Sequence, residues 1–286
     1  MKRKLHWALL IPAVILLGSP ALSAAQEKAP PNVPQAAAPA SPAAKAPVPT
    51  PDPKHLLGQM CEFLKQQQQF SVKAEVATDR VYHGGKKLQF GQEVTASFKR
   101  PDKLRIDGEG DLDSKLLLFD GKTLTLYDKY KDHYADIAVA GDIDAALDKA
   151  YKDHGLRVGL AELGSPKLGD HLGKDLVHAL YVGLHKVRGV PCHHLAFDRK
   201  DIHSQVWVEA GDKPLLRKFV ITQKNLPGSP QWTAYLSDWN FSPAFADNLF
   251  TFVPPAGAQK IKFMPVKSSD TPEPKPVKPK KKGGKS

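Results

Sequence analysis

The feature that narrows the fold most is a period-two hydrophobic pattern that begins abruptly at Phe70. Val72, Ala74 and Val76 alternate with Lys73, Glu75 and Ala77, and beyond a Gly84-Gly85 turn Val94, Ala96 and Phe98 alternate with Thr95, Ser97 and Lys99. Successive side chains of a strand point to opposite faces, so the pattern specifies antiparallel strands with one buried face. Arg100-Pro101-Asp102 turns the chain into Leu104 and Ile106. Leu116 and Leu118 then lead to Asp120-Gly121, a hairpin signal, from which Leu124 and Leu126 return. A strand containing Tyr130 and Tyr134 closes this meander. Further strands are expected near Leu180 to Val187, Val190 to Asp198, Gln205 to Glu209, Leu215 to Thr222 and Trp232 to Phe241.

Helical periodicity appears in few places. Asp52 is placed as an N-cap with Pro53 at the first helical position, and Leu56, Leu57, Met60, Cys61, Phe63 and Leu64 follow at helical spacing. A second helix fits Asp142 to His154, with Ile143, Ala146, Leu147, Ala150 and Tyr151 on one face and Gly155 placed to end it. Short helical turns are expected near Leu160 to Leu163 and Asp170 to Val177. About ten or eleven strands with two or three helices in this order predict an α+β half-barrel. Its sheet would be strongly curved and antiparallel, with the helices covering the concave face.

The segments flanking residues 52–264 are of different composition. Lys2, Arg3 and Lys4 precede an apolar run from Leu5 to Leu17, and Ser23, Ala24 and Ala25 are small enough for cleavage, so residues 1–25 read as an export signal. A membrane span needs roughly 20 apolar residues, and Gly18, Ser19 and Pro20 break the run first; no transmembrane anchor is expected in the mature protein. Residues 26–51 are an Ala/Pro-rich linker, and 265–286 form a Pro/Lys-rich tail; neither holds enough apolar surface to fold. The formal net charge is +11, but the signal carries +3 and the tail from Val266 carries +5, which leaves only +3 for the rest. That excludes the clustered basic footprint of a nucleic-acid binder. The Lys-rich tail would either contact anionic envelope surfaces or serve as a solubilising arm.

The two cysteines, Cys61 and Cys192, belong by this reading to an oxidising compartment. A disulfide between them is expected, and on the chain-entropy model would contribute about 4–5 kcal/mol; the alternative is a pair of buried thiols. No G-x-S-x-G, H-E-x-x-H, P-loop or C-x-x-C pattern occurs. No catalytic residue and no cofactor is expected. Cys192-His193-His194, with His185 and His203, is the densest cluster of metal-ligating types. On a strand, however, only Cys192 and His194 share a face, too few for zinc, so no metal site is assigned. Trp207, Phe219, Trp232, Tyr235, Trp239 and Phe241 crowd the late strands, either as core or as the wall of an apolar concavity. The lining of that concave face is assigned to Leu57 and Met60 from the first helix, Phe98, Leu104, Ile106, Leu118 and Leu126 from the meander, and Phe219, Ile221 and Trp239 from the late strands.

Several ordered segments resemble one family. They are Arg100-Pro101-Asp102-Lys103-Leu104-Arg105, Asp120-Gly121-Lys122, Gly189 to Phe197, Pro214 to Lys218 and Phe250 to Ala258. Together they resemble the predicted periplasmic proteins grouped as the domain of unknown function DUF2092, over Asp52 to Met264. More distantly the chain is similar to the LolA/LolB lipoprotein-carrier superfamily, whose members are half-open barrels with a helical lid over an apolar cavity. His193 and His203-Ser204-Gln205 depart from the DUF2092 pattern, which has an acidic residue and Asp-Trp-Gln at these places. The resemblance implies a non-enzymatic periplasmic protein that shelters a lipid, an acyl chain or another apolar ligand between sheet and helices. The alternative is an envelope interaction or sensor module that binds protein partners without a lipid.

Overall fold

The computed structural model describes residues 50–263. The expected signal, the linker up to residue 49 and the basic tail lie outside the described residues. The first helix, α1 (Pro53–Lys65), is capped by the Asp52 carboxylate, which accepts from the Lys54 amide, and it buries Leu57, Met60, Cys61 and Leu64. Twelve strands form one sheet. The first six are β1 (Gln69–Val81), β2 (Lys87–Lys99), β3 (Lys103–Gly110), β4 (Ser114–Phe119), β5 (Thr123–Asp128) and β6 (His133–Ala138). Next come α2 (Ile143–His154), a 3₁₀ turn (Ala161–Gly164) and α3 (Leu168–Gly173). The chain ends with β7 (His178–Val187), β8 (Val190–Asp198), β9 (Ile202–Glu209), β10 (Leu216–Gln223), β11 (Gln231–Asn240) and β12 (Gln259–Lys260).

The sheet order is β12-β6-β5-β4-β3-β2-β1-β11-β10-β9-β8-β7, so the sheet is open, with β12 and β7 at its edges. Every pair is antiparallel except β12 on β6. This is the expected α+β half-barrel, with one strand more than the sequence pattern predicts. The extra strand, β12, is two residues long, too short to leave a period. Inner-face residues from the strands and apolar residues from all three helices make one continuous core. Its largest wholly buried side chains include Phe70, Phe98, Phe119, Met60, Leu64 and Leu104.

Helices laid across a sheet end in carbonyls that have no helical partner. Two arginines satisfy them. Arg100, at the β2–β3 turn, donates to the Leu64 and Gln67 carbonyls at the end of α1 and to the Leu163 and Gly164 carbonyls of the 3₁₀ turn. Its guanidinium lies 5.4 Å from the Phe70 ring centre, and the buried Asp144 of α2 attracts it electrostatically. Arg199, at the β8–β9 turn, donates to the Leu172 and Lys174 carbonyls around the end of α3 and to Ser204 Oγ. Burial pushes the pKa of both guanidiniums down, yet arginine remains charged at any ordinary pH. The 3₁₀ turn sits tightly on the sheet, because a Cβ at Gly164 would stand 2.4 Å from the Phe98 ring.

The outer face of β4 to β6 is covered by the chain's own closing segment. Phe252 packs on Tyr127 and Tyr134, with ring centres 5.6 and 5.1 Å apart, over a small cluster that includes Leu116 and Leu118. Leu118 therefore does not line the inner face, contrary to the expectation from the sequence; Leu117 and Phe119 do. Leu116-Leu117-Leu118-Phe119 is apolar at every position because both faces of β4 are covered, and a strand buried on both sides has no readable alternation.

The expected disulfide does not form: both cysteines are free and buried. Cys61 packs in the inner core, whereas Cys192 lies among Val187, Trp207 and Val220 on the outer face, with the sheet between them. Burial is the main cause that pushes Cys61 up to about 12 and Cys192 up to about 11.

The clasp and the thiols are both open to test. Arg100→Met strands four carbonyls and should lower the unfolding free energy by about 3 kcal/mol or more in urea titrations. Arg100→Lys should recover little of it, since one ammonium cannot reach both helical segments; a loss under about 1 kcal/mol for Arg100→Met would dismiss the clasp. The thiols should resist a disulfide reagent in the native protein and both react after unfolding without reductant. Because their folded pKa values exceed the unfolded value of about 8.5, the stability they contribute is complete below that pH and is lost as pH rises towards 11 to 12. A protein with no reactive thiol after unfolding would contradict the assignment.

Candidate functional site

The inner face beneath the helices gathers nine of the ten assigned lining residues. Leu57 and Met60 reach it from α1, and Phe98, Leu104 and Ile106 from β2 and β3, all of them buried. Leu126 pairs with the inner Leu117 across β4 and β5 and is half-buried. On β10, Phe219 lies between the inner residues Val206 and Ala234, and Ile221 between Ser204 and Trp232.

Trp239 reaches the same face by an irregularity. Parity along β11 turns Trp232, Ala234 and Leu236 inward, which would send Trp239 outward. The register with β1 slips between Ser71 and Lys73, and Asp238 adopts a positive φ of 51°, so the chain gains a residue and Trp239 returns inward. Its ring centre stands 5.9 Å from that of Phe70, and its Nε1 donates to the Leu216 carbonyl at 3.2 Å. Trp232, Leu236 and Phe70 thus join a face on which sequence parity could hold only one set.

The space between sheet and helices is occupied by the protein's own side chains. Phe70 and Phe98 stack at 4.6 Å in its middle, and both are fully buried, as is Met60. The open cavity implied by the carrier resemblance is a packed core here. The cover leaves an incompletely dry rim on β10 and β11, where Phe219, Ile221 and Trp232 are neighbours and half-buried; Trp239, farther along β11, and Leu126, on β5, are half-buried elsewhere on the face. The cover touches this rim at Gly159, where an added Cβ would stand 2.8 Å from the Trp232 ring. One polar group sits deep in the cover. The Asp144 carboxylate is buried with no hydrogen-bond partner, its nearest cation being Lys167 Nζ at 3.6 Å.

The histidine cluster is dispersed. His193 faces inward and meets the Tyr181 hydroxyl at 3.1 Å, His185 and His194 meet on the outer face at 3.1 Å, and His203 pairs with Asp198 at 3.0 Å. Among the described residues no group of three or more His, Cys, Asp or Glu side chains could hold a metal ion. No described helix is long and apolar enough to cross a membrane. The clasping residues Arg100 and Arg199 escape sequence reading, because an arginine in a polar turn looks the same whether it faces water or a row of helix carbonyls.

A profile of the family described as "Predicted periplasmic protein (DUF2092)" matches residues 54–264. No curated protein matches the sequence. Among solved structures, the chain is similar to an uncharacterized conserved protein from Thermus thermophilus, with 8% identity and a TM-score of 0.43 over 73% of this chain and 98% of that one. It is similar to the Mycobacterium tuberculosis lipoprotein LppX, with 16% identity and a TM-score of 0.40 over 68% of this chain and 98% of that one. A LolA superfamily protein from Nitrosomonas europaea shows 10% identity and a TM-score of 0.34 over 70% of this chain and 98% of that one.

Proposed function

The chain belongs to the DUF2092 family of predicted periplasmic proteins, and from that premise we propose that it is a non-enzymatic binding protein which takes an apolar chain between its sheet and its helical cover. The observation that carries this reading is the half-wet apolar rim formed by Phe219, Ile221 and Trp232 on β10 and β11, contiguous with the inner face. Apolar side chains of that size, left partly in water beside a core, are a standing drive to bury more surface.

A packed interior is compatible with uptake if the ligand exchanges with the cover. Each Å² of apolar surface buried is worth about 25 cal/mol whether a side chain or an acyl chain covers it. An exchange of like area is then nearly neutral, and the ligand's remaining length at the rim supplies the gain. The weakest part of the cover borders the rim. From Gly155 to Gly159, ahead of the clasped 3₁₀ turn, the chain forms no helix or strand, and its residues are exposed or half-buried. Such a segment opens at small cost.

A second reading rests on a separate observation. The edge strand β7 exposes Leu180 at 50%, Val182 at 42% and Leu184 at 59%, beside backbone groups that pair with no strand on that side among the described residues. An exposed apolar edge is a template for an added strand, which suits a module that binds a protein partner in extended form.

The two readings separate experimentally. Phe219→Gln and Ile221→Gln, at half-buried sites, should weaken uptake of a fluorescent fatty acid by about tenfold or more while moving the melting temperature only a few degrees. Wild-type protein that takes up no fatty acid, or variants that take it up as well as wild type, would end the apolar-ligand reading. A photo-crosslinker at Val182 should capture periplasmic protein under the second reading, and Leu180→Lys with Leu184→Lys should abolish capture without touching fatty-acid uptake. Capture that survives those lysines would place the contact elsewhere.

A further inference from the structure

The outer face, away from the helices, carries a groove of about 340 Å³ across β1, β2, β9, β10 and β11. Its floor and walls include Gln205, Trp207, Lys218, Gln231, Thr233 and Tyr235. Lys218 is the one charged residue that lines it. The Lys218 ammonium stands 4.5 Å from the centre of the Trp207 ring and 4.8 Å from that of Tyr235. No carboxylate pairs with it among the described residues, and acidic groups on the neighbouring strands β1 and β9 are engaged elsewhere. Glu75 holds Arg188 through two hydrogen bonds, Asp79 accepts from the Gln231 amide and pairs with Lys87, and Glu209 holds Arg217. Aromatic faces attract an ammonium by roughly 0.5–2 kcal/mol and accept none of its hydrogen bonds in the way an oxygen does. The cation is positioned and left without a counter-charge.

The neighbouring polar groups are oriented by partners outside the groove. His194 stacks on the second face of Trp207, with ring centres 4.0 Å apart and planes 12° apart, so Trp207 serves as backing for the lysine and not as an open stacking platform. Burial, the field of His185 and that of Lys218 push the His194 pKa down, which keeps the ring neutral. Its Nε2 donates to the Gln205 side-chain oxygen at 3.0 Å and its Nδ1 accepts from His185 Nδ1 at 3.1 Å. The Gln205 amino group is left to donate. Gln231 is held from the other side, its amino group donating to Thr222 Oγ1 at 3.0 Å, which leaves its carbonyl oxygen to accept. One cation, one fixed amide donor, one fixed amide acceptor and the Thr233 hydroxyl converge on a groove at the lower end of ligand-site volumes.

We infer that this groove binds an acidic sugar, a carboxylate-bearing hexose unit of a uronic-acid oligosaccharide. The carboxylate meets Lys218, and the ring hydroxyls, which both donate and accept, meet Gln205, Gln231 and Thr233. A bare anion would use the lysine and leave the amides idle, and a neutral sugar would leave the lysine uncompensated. This site shares no lining residue with the inner face and stands independently of the apolar-ligand reading.

The test uses the whole mature chain and tri-galacturonate at about 0.15 M salt, where exposed charges farther apart than about 8 Å are screened, read by tryptophan fluorescence and calorimetry. Maltotriose and inorganic phosphate are the comparison ligands. Tri-galacturonate should bind at least about tenfold more tightly than either, the worth of one charge-assisted hydrogen bond. Lys218→Met should erase that preference and Lys218→Arg should keep most of it, with melting temperatures confirming that both variants fold. Gln205→Leu should weaken the acidic sugar several-fold through lost hydroxyl contacts. The Lys-rich tail is present in every variant, so adsorption to it cancels in the comparison. Unchanged binding in Lys218→Met, equal binding of maltotriose or phosphate, or no binding of tri-galacturonate at millimolar concentration would each overturn the assignment.

Discussion

A helix that lies over a sheet must dispose of the carbonyls at its C-terminus, and in this fold half-buried guanidiniums do so. Arg100 gathers carbonyls from the end of α1 and from the 3₁₀ turn; Arg199 does the same around the end of α3. Both arginines sit in turns between adjacent strands, so the turns that set strand register also fix where the cover lands. Arginine suits this position because its planar fork offers several donors in fixed directions, and because its charge survives burial that would neutralise a lysine. Hydrophobic burial brings cover and sheet together without direction. The clasps supply the direction.

The same economy appears at the opposite end of the sheet. The closing Phe-x-Phe-x-Pro-Pro segment covers the outer face of β4 to β6, placing Phe252 on Tyr127 and Tyr134, and the chain then adds β12 beside β6, so that the Ile261 amide donates to the Tyr134 carbonyl. An edge that would otherwise expose unpaired backbone is partly covered. The other edge, β7, has no such strap among the described residues, and Leu180, Val182 and Leu184 stand exposed along it.

How far the molecule can be read from its sequence follows from where periodicity survives. Strands with one wet face, such as β1 and β2, write their inner residues plainly, and α1 and α2 are bounded by Asp52, Asp142 and Gly155 as their capping chemistry dictates. Legibility fails where a second layer erases the pattern, as at Leu116 to Phe119, and where one inserted residue reverses it, as at Asp238 before Trp239. It fails again for the cysteines. Cys61 and Cys192 each look core-adjacent, yet a sheet has two cores here, and only the three-dimensional order shows that they belong to different ones. The outer groove leaves no sequence signature, because its residues are spread over five strands, one to three from each.

Those two faces are nevertheless one object, and β10 is where they meet. Phe219 and Ile221 project to the inner rim, while Lys218 and Val220 project to the outer groove and its floor. Strand parity makes these neighbours inseparable: a shift of β10 that deepens the groove must move the rim by the same amount. The bulge next to Leu216 already breaks the register with β9 at the start of this strand, so its position is held by fewer ladder bonds than that of β1 or β2. Trp232 completes the link, since it pairs with Ile221 on the sheet and touches Gly159 of the cover. Ile221 and Trp232 thus form the contact path from β10 to the cover, beside the packed centre around Phe70 and Phe98.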